Sequence, residues 1–303
     1  MIGDRKILIG PSSFGEKDRS PIDLLERSGF RVVDNPYKRK LTKAELAQLL
    51  DEDVVGLIAG LETLDREVLS KSKLKCISRV GSGISNIDLA AARELNIAVR
   101  STPDGPTQAV AELTIGTLLS LLRFIPQMND ALHQGEWSKQ IGSQLQAKKC
   151  LVIGLGRIGR RVAGLLSAFG AEILVYDPFV DTGSGYSKVA SLHEGLRQAD
   201  IVTLHHSGEG CILGTSELEL MKEGSILLNA SRGSAVDEAA LVTSLSEKRI
   251  RGAWLDTFSE EPYRGPLAKF SNVILTPHVG SYTLECRKAM EMDSVTNLLS
   301  VIG

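Results

Sequence analysis

The chain has 303 residues, of which 43% are hydrophobic and 24% charged, and its formal net charge is −2 at pH 7. That length suits about two domains, and the near balance of charge lacks the basic bias by which nucleic acid or an anionic membrane surface is bound. Neither kind of partner is expected. Cys76, Cys150, Cys211 and Cys286 are scattered, with no CxxC pair and no short secreted framework. They read as reduced thiols in a cytoplasmic protein.

The first apolar run, 7–9, is brief and broken by Gly10 and Pro11, as in a first strand and not in a signal peptide. Further apolar runs at 32–33, 54–59, 76–80 and 97–99 alternate with helical patterns at 21–28, 43–50, 65–70 and 87–95. This alternation predicts a parallel sheet with helices on its faces. Ser101-Thr102-Pro103 interrupts it. The stretch 109–122 carries Glu112 and Thr114 and falls short of the roughly 18 apolar residues of a membrane span, so a buried helix starting near Thr107 is expected.

The densest signal is 149–177, KCLVIGLGRIGRRVAGLLSAFGAEILVYD. Its order is apolar run, glycine turn, helical spacing, second apolar run, acid. In the turn, Gly154 permits the tight bend, Gly156 lets backbone approach a pyrophosphate, and Gly159 lets helix pack on strand. The following helix start offers free N–H groups and a positive dipole end to phosphates. Asp177 stands close to the roughly 20-residue offset at which an acid meets the adenosine ribose. NAD is the expected cofactor, because a carboxylate there repels the 2′-phosphate of NADP.

Strands are expected at 150–153, 173–176, 201–204, 225–229, 251–254 and 273–275, with helices between them and the glycine and serine tract at 182–187 as a loop. Thr276-Pro277 is a second interruption, and 284–302 reads as a final helix. The expected fold class is α/β: two Rossmann-like or flavodoxin-like lobes, each a doubly wound parallel sheet, with a cleft between them of the sort that binds ligands. Residues 1–101 and 281–303 would form a substrate-binding domain, and residues 102–280 the cofactor domain.

Redox chemistry on a hydroxy or keto acid needs a cation for the carboxylate, a group that trades the hydroxyl proton, and a partner tuning that group. Three successive strand ends supply candidates: Arg232 in LLNASRG, Asp256 and Glu261 in WLDTFSEEP, and His278 in TPHVGS. Arg232 would hold a carboxylate with a bidentate fork. His278 would carry the proton, and a neighbouring carboxylate would stabilise its imidazolium. Singly, each has an ordinary alternative as ion-pair partner, loop acid or turn residue. Convergence on strand ends, where open α/β sheets take their ligands, favours chemistry. His205 and His206 do not suggest a metal: adjacent strand residues point to opposite faces, and no Cys or carboxylate spacing completes a site.

At these residues the chain resembles the D-isomer-specific 2-hydroxyacid dehydrogenases, and most closely their short phosphoglycerate dehydrogenase-like branch without a regulatory domain. The resemblance rests on GLGRIG, the NxxRG strand end, the DxFxxEP block and TPH, and it covers nearly the whole chain. It implies hydride transfer between NAD and C2 of a D-2-hydroxy acid, with Arg232 orienting the carbonyl, His278 carrying the proton, and Glu261 setting the affinity of His278 for it. It implies cofactor contacts on Gly154, Gly156, Arg157, Ile158, Gly159, Asp177, His206, Ala230, Arg232, Asp256, His278 and Gly280. For the substrate it implies Arg232 and His278 together with Arg79 and the backbone of Gly81, Ser82 and Gly83 in the loop 77–88. A homodimer built on the cofactor domain is also implied. The segment 205–210, HHSGEG, departs from the proline-containing segment usual in the family, and Gly60 stands where phosphoglycerate enzymes often carry Arg.

The acid expected first is D-3-phosphoglycerate, with glyoxylate and hydroxypyruvate close behind. Formate is disfavoured, since that branch has Gln where Glu261 stands. An expectation of a different class is an NAD-sensing corepressor-like binding protein, which would bind NADH and turn over no 2-keto acid.

Overall fold

Apolar runs bounded by glycine or polar turns become parallel strands buried on both faces, the usual habit of an all-parallel sheet. The computed structural model describes residues 5–180, 185–208 and 210–303. Thr182 to Ser184 of the glycine and serine tract, and Glu209 of HHSGEG, lie outside the described residues. The chain divides into two compact units, one of Met1–Pro106 with Ser281–Gly303 and one of Thr107–Gly280.

The first unit runs β1 (Lys6–Ile9), α1 (Ser20–Arg27), β2 (Arg31–Val33), α2 (Lys43–Leu49), β3 (Val54–Ala59), α3 (Arg66–Ser70), β4 (Cys76–Arg79), α4 (Leu89–Glu94) and β5 (Ala98–Ser101). Its five strands are parallel in the order β2-β1-β3-β4-β5. All six residues of β3 are buried. Capping side chains fix where its helices begin: Thr42 and Glu45 form a reciprocal capping box on α2, and Asp65 and Asp88 accept N–H bonds at the starts of α3 and α4. Such caps satisfy donors that a helix start leaves open. Gly56 has no side chain because one would press on Leu298 and Ile302 at about 3.0 Å. Those two belong to the last helix of the chain, which packs across β3, β4 and β5.

The second unit follows with α5 (Pro106–Leu122), α6 (Ile125–His133), β6 (Lys149–Ile153), α7 (Arg157–Ala168), β7 (Glu172–Tyr176), β8 (Ser187–Lys188), α8 (Leu192–Gln198), β9 (Ile201–Leu204), α9 (Thr215–Leu220), β10 (Ser225–Asn229), α10 (Glu238–Ser246), β11 (Ile250–Leu255) and β12 (Val273–Leu275); α11 (Leu284–Ile302) then returns to the first unit. Its sheet has seven parallel strands in the order β12-β11-β10-β9-β6-β7-β8. Six were expected from the sequence. The extra one, β8, is a two-residue edge strand of exposed Ser187 and Lys188 paired with Leu174 and Val175, so it carries no apolar pattern to read. Ser187, expected to close a loop, opens this strand.

One core of this unit joins Ile115, Leu118 and Leu121 of α5 to Val152, Val162, Leu166, Leu228 and Trp254. Phe124, in the left-handed region at φ 53°, separates α5 from α6. Among the described residues no single helix is long and apolar enough to cross a membrane.

Candidate active site

The glycine turn leaves β6 into α7 at the carboxyl end of the second sheet. Gly154 has φ +90°, and a Cβ there would lie 2.7 Å from the backbone nitrogen of His206, so only glycine fits. A Cβ on Gly159 would come within 2.0 Å of the Gly154 carbonyl oxygen, which is how closely α7 sits on the strand. Around Gly156 a Cβ would meet nothing within 4 Å. Gly156 is also the N-cap of α7 and offers no side-chain cap, which leaves the first-turn N–H groups open to an anion. The residues present therefore fit a dinucleotide pyrophosphate. Arg157 is exposed and Ile158 half-buried at this helix start.

Asp177, just past β7, is buried and ties the turn down. Its Oδ2 accepts from Leu155 N at 2.7 Å, and its Oδ1 accepts from Phe179 N and Val180 N at 2.9 and 3.2 Å. A carboxylate has about four acceptor positions, so capacity for a ribose hydroxyl remains.

At the end of β10, fully buried Asn229 works as a staple. Its Oδ1 accepts from Ser231 N and Oγ, and its Nδ2 donates to Arg232 O at 2.9 Å. Arg232 itself donates from Nη1 to Ser231 O. A Cβ on Gly233 would lie 1.9 Å from the carbonyl carbon of Phe258, so the arginine loop rests directly on the loop after β11. Ala230, just past β10, is half-buried.

The next two strand ends are stitched by Asp256. Its Oδ1 accepts from Thr276 Oγ1 at 2.6 Å and Val279 N at 2.9 Å, and its Oδ2 accepts from Gly280 N at 2.8 Å. Trp254 Nε1 donates to the same Thr276 oxygen at 2.9 Å. These bonds fix the turn that carries His278, whose backbone adopts φ 53°. A non-glycine residue held there costs about 1–3 kcal/mol, which the surrounding bonds must offset.

His278 Nδ1 lies 3.0 Å from Glu261 Oε2, while Glu261 Oε1 accepts from Phe258 N at 3.1 Å. Because a carboxylate only accepts, Nδ1 is the donor in this pair, and Nε2 is left to exchange a proton. The residues alone offered both Asp256 and Glu261 beside the imidazole, and the resemblance pointed to Glu261. The structure gives that place to Glu261, while Asp256 and the N–H of Gly280 satisfy each other within the loop.

His205 and His206 lie past the end of β9, not on it as the strand argument assumed. His205 is buried with Nε2 2.8 Å from Thr203 Oγ1, and burial holds its pKa down to about 3, so the ring is neutral. His206 is half-buried beside Gly154, and its pKa is lowered by burial first and by the charge of Arg232 second. Among the described residues no group of three His, Cys, Asp or Glu could hold a metal ion.

In the first unit the loop expected from the sequence to meet the substrate follows β4. Arg79 donates from Nη1 to Val80 O. Gly81 was expected to present its N–H to a ligand, and here the structure differs: Gly81 is buried, and its N–H donates to Thr102 Oγ1 at 2.7 Å. At φ +120° a side chain there would also strike the Arg79 guanidinium. Ser82 is exposed and Gly83 half-buried, which leaves these two as the candidate backbone donors.

The family model for the NAD binding domain of D-isomer specific 2-hydroxyacid dehydrogenases matches residues 115–280, more than half of the chain. The chain belongs to that family. A D-3-phosphoglycerate dehydrogenase of Methanocaldococcus jannaschii is 41% identical over 261 residues, covering 82% of this chain and 50% of the relative. Among solved structures, the TT0316 protein from Thermus thermophilus is similar with a TM-score of 0.90 and 34% identity, covering 98% of this chain and 96% of that one. A glyoxylate reductase from Paecilomyes thermophila has a TM-score of 0.88 and 28% identity, covering 99% of this chain and 95% of its own. The chain spans about half the length of the first curated relatives it matches. Within the 2-hydroxyacid dehydrogenase family, the matched span contains every strand end described above for the second unit, including Arg232, Glu261 and His278.

Sequence reasoning did not assign roles to Asn229, Thr276 or Thr102, which hold the loops around the site. For Asn229 a signal existed, a lone amide closing the apolar run Ile226 to Leu228. Thr102 gave none.

Proposed function

We propose that the chain is an NAD-dependent oxidoreductase interconverting a D-2-hydroxy acid and its 2-keto acid. The observation that carries this reading is the 3.0 Å contact of His278 Nδ1 with Glu261 Oε2, on strand ends neighbouring the one that presents Arg232. When bound, NAD supplies or accepts the hydride at C2. Arg232 holds the acid by charge-assisted bonds and polarises its carbonyl. In the reducing direction His278 Nε2 gives its proton to the carbonyl oxygen, and in the oxidising direction it takes that proton back. Glu261, fixed by Phe258 N, keeps the ring oriented and stabilises the imidazolium. Asp177 would repel a 2′-phosphate, which favours NAD over NADP.

The names of relatives nominate D-3-phosphoglycerate as the first acid to assay, with glyoxylate and hydroxypyruvate next. Ser82 and Gly83 are the proposed backbone donors to the substrate from the first unit. We place the enzyme in the cytoplasm as a homodimer formed through the cofactor unit. Trp137 and Ile141 support the dimer, since they stand 80% and 98% exposed on that unit and would gain by burial. The test is reduction of a panel of 2-keto acids with NADH and NADPH, alongside light scattering. Turnover with NADH preferred by about tenfold or more is expected. A protein that binds NADH and reduces none of the acids would contradict the reading.

A further inference from the structure

The first sheet has its own ligand edge. With the order β2-β1-β3-β4-β5, its connections diverge between β1 and β3, and at such a switch point ligands bind outside the carboxyl ends of the strands. The residues immediately past β1 and β3 are Gly10 and Gly60. Between them sits the carboxyl group of Glu62, only 1% exposed. A Cβ on Gly10 would lie 2.8 Å from Glu62 Oε1, and one on Gly60 would lie 3.2 Å from it. The two glycines leave the room that this carboxyl fills.

Local bonds hold it there and tie it to the substrate loop. Gly60 N donates to Glu62 Oε2 at 2.6 Å. Asn86 Nδ2 donates to Glu62 O at 2.6 Å and to Gly60 O at 3.2 Å. Leu64 N donates to Asn86 O, and Asp88 N donates to Leu64 O. The 60–64 segment and the loop with Ser82 and Gly83 are thus one stitched surface. The cations facing the carboxyl are Arg79 from the end of β4 and Lys40 from the loop after β2, and burial pushes its pKa up.

We propose that Glu62 is a specificity-determining residue, whose negative charge makes this edge select acids with an uncharged substituent beyond C2 and disfavour those carrying a phosphate there. This rests on the reading that the first unit contacts the acid. The physical basis is repulsion: a phosphate ester would bring nearly two negative charges toward a buried carboxylate screened by little water, whose charge offsets the attraction that Arg79 and Lys40 would otherwise exert. As a structural cap Glu62 would need only an oxygen for Gly60 N–H, which Gln also supplies.

The test compares hydroxypyruvate with its 3-phospho derivative as substrates of the wild type, Glu62→Gln and Glu62→Asp at about pH 8, with thermal midpoints as a folding control. The wild type should prefer hydroxypyruvate in kcat/KM. Glu62→Gln should raise kcat/KM for the phosphorylated acid by about tenfold, chiefly through KM, with hydroxypyruvate changed by less than about threefold. Glu62→Asp, which keeps the charge, should retain the wild-type preference. A wild type that prefers the phosphorylated acid, or a folded Glu62→Gln with an unaltered ratio, would overturn the proposal. If neither acid is reduced, binding of D-glycerate and D-3-phosphoglycerate to the NAD-loaded protein is measured by calorimetry. A preference for D-glycerate that Glu62→Gln abolishes would uphold the role of Glu62 while refuting the activity, and equal binding would refute Glu62.

Discussion

His278 reaches its place by a strained backbone, φ 53°, and by a carboxylate on one ring nitrogen. Replacing it tests proton transfer separately from binding: His278→Ala is predicted to cut kcat by roughly 10²–10⁴-fold while leaving NADH affinity within about threefold. Stopped-flow NADH binding beside steady-state turnover checks both halves. Asp256 has a different role. Its three accepted bonds hold the turn, so Asp256→Asn should lower stability by about 2–3 kcal/mol through lost charge-assisted bonds and a stranded donor, measurable by urea unfolding. Arg232, Glu261 and His278 were legible as candidates because each residue type is scarce at a strand end without a reason. Residue type and position alone left Asp256 and Glu261 both open as the acid beside the imidazole; the family resemblance pointed to Glu261, and the 3.0 Å contact with His278 agrees with it.

His205 adds a titration with a definite sign. Its pKa in the fold is held at about 3 by burial, below the ordinary 6.5. Below about pH 6.5 the unfolded chain takes up a proton that the folded ring refuses, so stability is lost as pH falls, by up to about 1.4 kcal/mol per pH unit. His205→Gln should therefore show a flatter loss than the wild type between about pH 6 and pH 4. Parallel stability curves for the two proteins would contradict this.

Among the elements, β6 and α7 show best how the glycines divide their work. The site open around Gly156 and the 2.0 Å approach at Gly159 predict opposite phenotypes. Gly156→Ala should leave the thermal midpoint nearly unchanged and weaken NADH binding, because the added methyl meets ligand and not protein. Gly159→Ala should lower both, since α7 must lift from β6. Calorimetry and thermal melts of the two variants decide it. The long strands were readable because burial on both faces leaves an unbroken apolar run, as in β3, β9 and β10. Strand β8 was not, because two exposed edge residues need no pattern. Gly81 was misread for a related reason: a glycine beside a candidate loop looks available until its N–H is seen to be taken by Thr102, a partner 21 positions away.

At the scale of the whole molecule, two parallel sheets of similar design follow one another in sequence, and the chain's last helix, α11, belongs with the first of them. The periodicity of apolar runs made both sheets and the final helix readable. Strand order was not written in that periodicity, because which strands pair depends on crossovers that apolar spacing does not record. Charge near zero left the chemistry to the local groups at strand ends. The most direct measurement of the central claim is a single turnover with NADH carrying deuterium at both C4 positions of the nicotinamide and hydroxypyruvate as acceptor. The account predicts a D-2-hydroxy acid carrying the deuterium at C2 from the wild type, formed at least about 100-fold more slowly by His278→Ala. An L product, or no deuterium at C2, would contradict it.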